Sequence, residues 1–144
     1  MSQPGRVLFV EDSSDDVDLM LRAFRKNGIT NEIDIAQDGA QALDILAQQY
    51  AQGSGRDLPL LTILDLNLPK INGIEVLRRI RADERTRTMP VVIMSTSKQQ
   101  EEVNECYRLG ANGYVCKPIA FDAFVETAAH LALFWLRTNV PPRI

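Results

Sequence analysis

The sequence has little of what marks several common classes of protein. It contains only two cysteines, Cys106 and Cys116, whose spacing fits neither a disulfide framework nor a zinc site. The apolar run at residues 7–10 is too short for a signal peptide or a membrane-spanning segment. The formal net charge is only -3, which creates no general attraction for nucleic acid or anionic lipid. We therefore expect a cytoplasmic protein that binds neither nucleic acid nor membrane.

What is present is the composition of an ordinary globular domain. Hydrophobic residues make up 45% and charged residues 24% of the 144 residues, which is too apolar for a disordered chain. A chain of this length has enough residues for one hydrophobic core and too few for two. We predict a single domain over residues 1–144, with its core at about residues 5–137 and a C-terminal tail at residues 138–144.

Short apolar runs alternate with longer stretches of helical period along the whole chain. The runs lie at residues 7–10, 33–36, 60–64, 91–94 and 114–116. Strands that alternate with helices need crossover connections, so they pair in parallel and are covered by helices on both faces. We predict an α/β fold with a doubly wound, five-stranded parallel sheet and five helices. The polar, glycine-rich residues 51–57 are predicted to form a solvated loop before the third strand.

Charged or hydroxyl-bearing side chains directly follow four of the five apolar runs. In open parallel sheets the ligand crevice lies outside the carboxyl ends of the strands. Because neighbouring strands lie about 4.8 Å apart, side chains at these ends are close enough to share one small ligand. The residues in these positions are Glu11 and Asp12 after the first run, Asp65 after the third, Ser95 after the fourth and Lys117 after the fifth.

The acidic members of this set predict a magnesium site. Carboxylates held close together repel one another and recruit a cation, and Mg²⁺ prefers oxygen ligands. Mg²⁺ also keeps several waters and binds phosphate oxygens, which fits a site with one or two direct carboxylates and a reactive third. Asp65 is then the natural nucleophile toward a phosphoryl group, with Lys117 meeting the developing negative charge. The Ser95 hydroxyl could donate to a phosphoryl oxygen and so sense the group.

Each of these residues has a simpler interpretation when it is taken alone. Acidic residues such as Glu11 and Asp12 favour the positive end of a following helix. Asp65 and Ser95 suit turns, and a lysine often ends a strand. These interpretations lose force together, because all the residues fall at the same end of the predicted strands.

Several short motifs combine into one pattern. They are Glu11-Asp12, Asp65 with Leu66-Asn67-Leu68-Pro69, Asn72-Gly73, Ser95, and Gly113-Tyr114-Val115-Cys116-Lys117-Pro118. In this pattern nearly the whole chain resembles the receiver domain of two-component response regulators. The resemblance implies the flavodoxin-like strand order 2-1-3-4-5. Ser95 departs from the commoner threonine of the family, and the polar loop before the third strand is longer, but neither change removes a group that the site needs.

The resemblance also implies roles for the acidic residues. Asp65 would accept a phosphoryl group from a phosphohistidine of a histidine kinase. Asp12 and Asp65 would bind Mg²⁺ directly, Glu11 would act nearer water, and Asn67 would offer its backbone carbonyl to the metal. Such a protein is not an enzyme beyond its own phosphotransfer and autodephosphorylation.

A conformational switch is implied by the same resemblance. Tyr114 resembles the switch aromatic of the family, although a strand aromatic can also simply pack. If Ser95 moves toward the phosphoryl oxygens, space opens for Tyr114 to turn inward. That movement would remodel the surface of the fourth helix, fifth strand and fifth helix.

The residues after Lys117 leave room for a fifth helix but for no DNA-binding domain. One apolar stripe of this helix is predicted to pack on the sheet: Phe121, Phe124, Val125, Ala128, Leu131 and Trp135. Leu133, Phe134 and Leu136 lie off that stripe, so we predict that they form the contact of a homodimer. The segment Phe134-Trp135-Leu136 also resembles the single-domain response regulators of cyanobacterial phytochromes, which implies a phytochrome as the histidine kinase partner.

Three other functions are weighed against this hypothesis. A flavodoxin-like electron carrier would bind its phosphate where Glu11, Asp12 and Asp65 repel it. A phosphohydrolase with an aspartyl nucleophile typically has a second acid two positions later, where this chain has Asn67. A phosphorylation-independent docking module would have kept the fold and lost the chemistry, whereas here every polar group of the site is present.

Overall fold

The structure is a computed structural model that describes residues 5–53 and 58–142. Five strands alternate with five helices, and a single π-helical turn follows the last helix. In chain order these elements are β1 Arg6–Val10, α1 Ser14–Lys26, β2 Glu32–Ala36, α2 Gly39–Gly53, β3 Leu61–Leu64, α3 Gly73–Ala82, β4 Val91–Ser95, α4 Gln100–Arg108, β5 Gly113–Cys116, α5 Phe121–Leu133 and the π-turn Phe134–Thr138. The predicted strands are therefore all present, with ends that differ by one residue.

All strand pairs in the sheet are parallel, and the order is β2-β1-β3-β4-β5. The register pairs Val10 with both Ala36 and Leu64, so the carboxyl ends of β1, β2 and β3 are level with one another. The predicted fold class and strand order are confirmed. The first crossover passes from β1 to β2 at one edge, and the chain then returns past β1 to β3, which opens the crevice expected beside β1 and β3.

Two layers of core cover the two faces of the sheet. Strand residues alternate between them, as the pleat requires: Leu8 and Val10 face one layer, and Val7 and Phe9 face the other. The first layer is completed by α2, α3 and α4, and the second by α1 and α5. Because β1, β3 and β4 are buried on both faces, their residues are apolar almost without interruption, which explains the short apolar runs in the sequence.

Helices α1 and α3 each begin at a residue whose side chain caps the helix. The Ser13 hydroxyl accepts a hydrogen bond from the amide of Asp16 and caps α1, and the Asn72 side chain accepts one from the amide of Glu75 and caps α3. Such caps satisfy backbone donors that have no partner inside the helix. They fix the start of each helix close to the end of the preceding strand.

The loop predicted at residues 51–57 is shorter than expected. Helix α2 continues to Gly53, so residues 51–53 are helical, and residues 54–57 lie outside the described part of the chain. Ala51 and Gln52 both have good helix propensity, and extending α2 keeps their backbone groups hydrogen-bonded. The glycines and polar side chains in this segment therefore gave a misleading signal for the start of the loop.

The C-terminal end of α5 also differs from the prediction. The amide of Asn139 donates to the carbonyl of Phe134, five residues earlier, which widens the last turn. Leu136 was predicted at a dimer contact but is fully buried in the core, because it lies four residues after the buried Ala132 and so on the same face of the helix. Phe121, predicted in the core stripe, is 68% exposed because it lies in the first turn of α5, beyond the edge of the core. Phe124, Ala128 and Leu131 are buried as predicted.

The π-turn is held against α1. The Arg137 guanidinium donates to the carbonyls of Asn27 and Gly28, at the end of α1, at 2.9 and 3.2 Å. Leu136 packs in the same layer as α1. Within residues 5–53 and 58–142, no helix is both long and apolar enough to cross a membrane.

Candidate functional site

The Lys117 ammonium group is the centre of the polar cluster at the carboxyl ends of the strands. Its Nζ atom donates to Oε1 of Glu11 at 2.6 Å, to Oδ2 of Asp16 at 3.0 Å and to Oδ2 of Asp65 at 3.3 Å. The lysine side chain is only 10% exposed. Residues far apart in the sequence are therefore brought together because β1, β3 and β5 all end at the same edge of the sheet.

Three carboxylates form an acidic cup beside this lysine. Glu11, Asp12 and Asp65 each offer one oxygen, and the three oxygens lie within 4.8 Å of one another. Glu11 and Asp65 are buried, whereas Asp12 is exposed at the rim. A set of carboxylate oxygens with one open side fits Mg²⁺ or Mn²⁺, which bind hard oxygen ligands and retain water. The donor set thus suits the metal that the sequence predicted.

The surroundings of Glu11 create an electrostatic demand for a cation. Burial raises the pKa of Glu11 to about 7, and the negative charge of Asp65 adds to this rise, while Lys117 opposes it. For Lys117, burial acts to lower the pKa, but the hydrogen bonds to Glu11 and Asp16 outweigh it, so its pKa lies above the ordinary value. The lysine is accordingly charged at neutral pH, and one positive charge faces several carboxylates.

The backbone around Asp65 fixes the direction of its side chain. The Asn67 amide donates to Oδ1 of Asp65 at 3.1 Å, while Oδ2 faces Lys117. Gly73, the first residue of α3, packs directly on the Asp65 backbone, where an added Cβ would lie 2.2 Å from the Asp65 carbonyl oxygen. Only glycine leaves space for this approach. The side chain of Asn67 is exposed, and the loop that carries it borders the acidic cup.

An open cleft leads from the solvent to this loop. Its volume is about 510 Å³. The residues that line it are Asp12, Leu66, Asn67, Leu68, Pro69, Asn72, Ile74 and Glu102. The cleft is lined by one residue of the cup, Asp12, so it reaches the exposed rim of the cup.

Ser95 and Tyr114 lie beside the cluster, on β4 and β5. Ser95 is fully buried as the last residue of β4, and its hydroxyl oxygen accepts a hydrogen bond from the amide of Ser97 at 3.2 Å. The Tyr114 hydroxyl donates to the Ser97 carbonyl at 2.9 Å. Burial raises the pKa of Tyr114, while hydrogen bonding with Ser95 and Ser97 opposes the rise. The tyrosine is therefore already directed toward the β4–α4 loop.

Sequence reasoning missed one member of the cluster, Asp16. It lies in the first turn of α1, three residues after the Ser13 cap. Its carboxylate contacts Lys117, while the neighbouring Asp15 is exposed. The available signal was position, because the first turn of the helix that follows β1 begins near the same sheet edge as Glu11.

Comparison with known proteins gives one consistent pattern. The family model for the response regulator receiver domain matches residues 7–129. The probable methanogenesis regulatory protein FilR2 of Methanothrix harundinacea is 38% identical over 139 residues, which cover 96% of this chain and 88% of that protein.

Solved structures agree with this match. The phosphorylated cyanobacterial phytochrome response regulator RcpA superposes with a TM-score of 0.89 at 32% identity, covering 97% of this chain and 99% of that one. The Mn²⁺-bound form of response regulator Rcp1 superposes with a TM-score of 0.85 at 33% identity, covering 96% and 99%. The similarity therefore extends over nearly the full length of both chains.

Proposed function

Because the chain belongs to the response regulator receiver domain family, we propose that it accepts a phosphoryl group on Asp65, with Mg²⁺, from a histidine kinase. The phosphorylated form then presents a changed binding surface. It catalyses no reaction other than its own phosphotransfer and autodephosphorylation.

The observation that carries this proposal is the contact of Lys117 with Asp65 beside the acidic cup. Two carboxylates, Asp65 and Glu11, are shared by the ammonium group and the cup. A metal held by the cup would supply positive charge to the phosphoryl oxygens. Lys117 would supply a second positive charge beside Asp65, and the two together would favour the charge distribution of phosphoryl transfer.

The transfer itself requires only a nucleophile and a leaving group. An Asp65 carboxylate oxygen attacks phosphorus, the P–O bond forms, and the P–N bond of the kinase phosphohistidine breaks with its electron pair passing to the imidazole nitrogen, which takes up a proton. Asn67 and Lys117 orient the attacking carboxylate through its two oxygens. The product is an aspartyl phosphate, which water hydrolyses to restore Asp65 and release phosphate.

The output is proposed to pass through Ser95 and Tyr114. The Ser95 oxygen accepts the Ser97 amide, and a rotation of the Ser95 hydroxyl would direct its hydrogen from Tyr114 to a phosphoryl oxygen. The Tyr114 hydroxyl is bonded to the same Ser97 residue. A movement of Ser95 toward the phosphoryl group therefore acts on the bond that holds Tyr114, and through it on the surface of α4, β5 and α5.

The test of phosphorylation is exposure to a small acyl phosphate with Mg²⁺, followed by intact-mass measurement. The native chain is expected to gain one phosphoryl group, and Asp65→Asn none. Asp15→Asn, which removes a nearby exposed carboxylate, is the matched control and is expected to behave like the native chain. A native protein that gains no phosphate, with or without a purified kinase, would instead favour the phosphorylation-independent docking module.

The partners follow from the same relationship. The similarity to RcpA supports a phytochrome as the histidine kinase, with both proteins in the cytoplasm. A homodimer is proposed through Phe134, which is 49% exposed and packs edge-on against Trp135 with ring centroids 5.1 Å apart. An exposed Phe134 ring supported by the partly buried Trp135 is a good anchor for an isologous contact.

Sedimentation measures this dimer directly. Phe134→Ala is expected to lower the average mass toward that of a monomer, whereas Phe121→Ala removes an equally large exposed ring at the other end of α5 and should leave the mass unchanged. A native protein that sediments as a monomer, with and without phosphorylation, would contradict the dimer and leave the phosphorylation site unaffected.

A further inference from the structure

Lys117 has three carboxylate partners, and one of them does not belong to the acidic cup. Glu11 and Asp65 are both partners of the lysine and members of the cup. Asp16 contacts the lysine at 3.0 Å but is not a member of the cup. The ammonium group has three hydrogens, so these three carboxylates use all of its donors.

We infer that Asp16 is a positioning residue that holds the Lys117 ammonium group while a divalent cation takes over Glu11 and Asp65. This inference rests on the proposed function, since it concerns the metal and the lysine that phosphorylation of Asp65 requires. Asp16 is not among the motif residues to which the family resemblance assigns a role.

The competition between two cations is the first step of the argument. A divalent cation in the cup and the Lys117 ammonium group would share the carboxylates of Glu11 and Asp65, at distances where like charges repel. If Lys117 had no other anion, metal binding would either displace the lysine or be weakened by it. Asp16 gives the lysine a negative partner that the metal does not use.

The burial of the partners supports this division of roles. Glu11 is 1% exposed, so its carboxylate needs a cation or a proton to be stable in the protein. The Asp16 side chain is 22% exposed, so water reaches it. The Asp16–Lys117 pair is therefore not required to satisfy a buried acid, and its main effect is on where the lysine is held.

The local backbone holds Asp16 in place for this contact. Its amide donates to the Ser13 hydroxyl at 3.3 Å, and the Ser13 amide in turn donates to Oε2 of Glu11 at 3.2 Å. The other Glu11 oxygen, Oε1, accepts from Lys117. Glu11 and Asp16 thus approach the lysine from a single short segment that is fixed by the capping of α1, and Asp16 remains in position when Glu11 turns toward a metal.

Binding of Mn²⁺, followed by the electron paramagnetic resonance signal of the free ion at pH 8, tests the inference without any phosphotransfer assay. Asp16→Asn is expected to weaken Mn²⁺ binding by about tenfold, the size of effect seen when a residue supporting a metal site is removed. Asp16→Glu should restore most of the affinity because its carboxylate still reaches Nζ.

Asp15→Asn is the matched control, since it removes the same charge from the same helical turn without removing a contact to Lys117. It is expected to change the affinity no more than about twofold, the effect of an exposed charge screened by salt. Lys117→Met provides the second comparison. In that background the lysine no longer competes, so Asp16→Asn and Asp15→Asn should have equal effects on Mn²⁺ binding.

The outcomes separate this inference from the proposed function. Equal effects of Asp16→Asn and Asp15→Asn in the native background would overturn it, and so would an Asp16→Asn effect that is unchanged by Lys117→Met. A native protein that neither binds Mn²⁺ nor gains phosphate would overturn the proposed function instead. Circular dichroism verifies that each variant is folded, and Asp16→Ser, which suits the first turn of a helix, replaces Asp16→Asn if that variant unfolds.

Discussion

Two partly buried cations, Lys117 and Arg81, lie at opposite ends of β4 and β5 and have very different partners. Lys117 donates to three carboxylates at the carboxyl ends of the strands. Among the described residues, Arg81 donates to neutral oxygens near the other end of β4: the carbonyls of Arg87, Met89 and Gly110 and the side-chain oxygen of Asn112. Burial lowers the pKa of Arg81.

The two sites differ in the charge that surrounds each cation. The neutral oxygens around Arg81 are satisfied by hydrogen bonds from one guanidinium group, which ties the end of α3 to the segments that precede β4 and β5. The carboxylates around Lys117 carry more negative charge than the lysine neutralises, so this site favours a second cation, as the proposed function requires.

The strongest test of this comparison is the loss of each cation in turn. Lys117→Met is expected to slow phosphorylation of Asp65 by about 100-fold or more, because a positive group that contacts the transferring phosphoryl is removed. Arg81→Met should leave the rate of the folded protein unchanged. Intact-mass time courses with a small acyl phosphate provide both rates, and a slow Arg81→Met variant that is fully folded would break the comparison.

For the free energy of unfolding, we expect the Arg81 substitutions to have a larger effect than Lys117→Met. Arg81→Ala removes hydrogen bonds from a charged donor to several backbone carbonyls and is expected to lower the free energy of unfolding by about 3 kcal/mol. Urea denaturation measures this loss. Arg81→Lys retains the charge but not the planar fork and should recover only part of it. We call Arg81 and the oxygens that it contacts the Arg81 clamp. If Arg81→Lys is as stable as the native chain, then the charge of residue 81, and not its planar geometry, stabilises this clamp.

A smaller effect is expected from the glycine that packs on Arg81. Gly110 has a φ of 100°, and an added Cβ would lie 2.9 Å from Nε of Arg81. Gly110→Ala should therefore cost about 1 to 3 kcal/mol through backbone strain, measured by urea denaturation. In an Arg81→Ala background the clash with the guanidinium is absent, so the cost should fall; an unchanged cost would assign it to the backbone alone.

A pH dependence is expected at the Lys117 site. The pKa of Glu11 is raised in the folded state to about 7 from an ordinary value of 4.5. The folded protein therefore binds this proton more tightly than the unfolded chain does. Between these two values the contribution of Glu11 to stability increases as the pH falls, and it is lost as the pH rises through about 7.

Thermal unfolding without metal at pH 5 and pH 8 measures this contribution as the difference between the native chain and Glu11→Gln. The gain on acidification should be larger for the native chain than for Glu11→Gln. The same difference should appear in an Arg81→Lys background, because the Arg81 clamp has no group that titrates in this range. Identical pH dependence of native and Glu11→Gln proteins would contradict the raised pKa.

Much of the Lys117 site could be predicted from the sequence. Little of the Arg81 clamp could be predicted in the same way. Glu11, Asp65, Ser95 and Lys117 each directly follow or end an apolar run, and parallel pairing brings such positions to one edge. Arg81 follows no such rule: it is one of several arginines on α3, and its burial depends on the loop after α3 and on Gly110. Asp16 was missed for a similar reason, since only the direction of α1 brings it to Lys117.

The sequence by itself determined which polar residues lie at the carboxyl ends of the strands. It therefore also determined that acidic residues and a lysine meet at one site. Only the tertiary structure decided which neighbours complete it. The contact of Asp16 with Lys117 depends on the direction of α1, and the bond from Tyr114 to Ser97 depends on the path of the β4–α4 loop. The burial of Leu136 depends on how the end of α5 packs against α1. Strand position is set by local pattern and a pairing rule, whereas helix phase is set by packing between layers, which a single sequence does not specify.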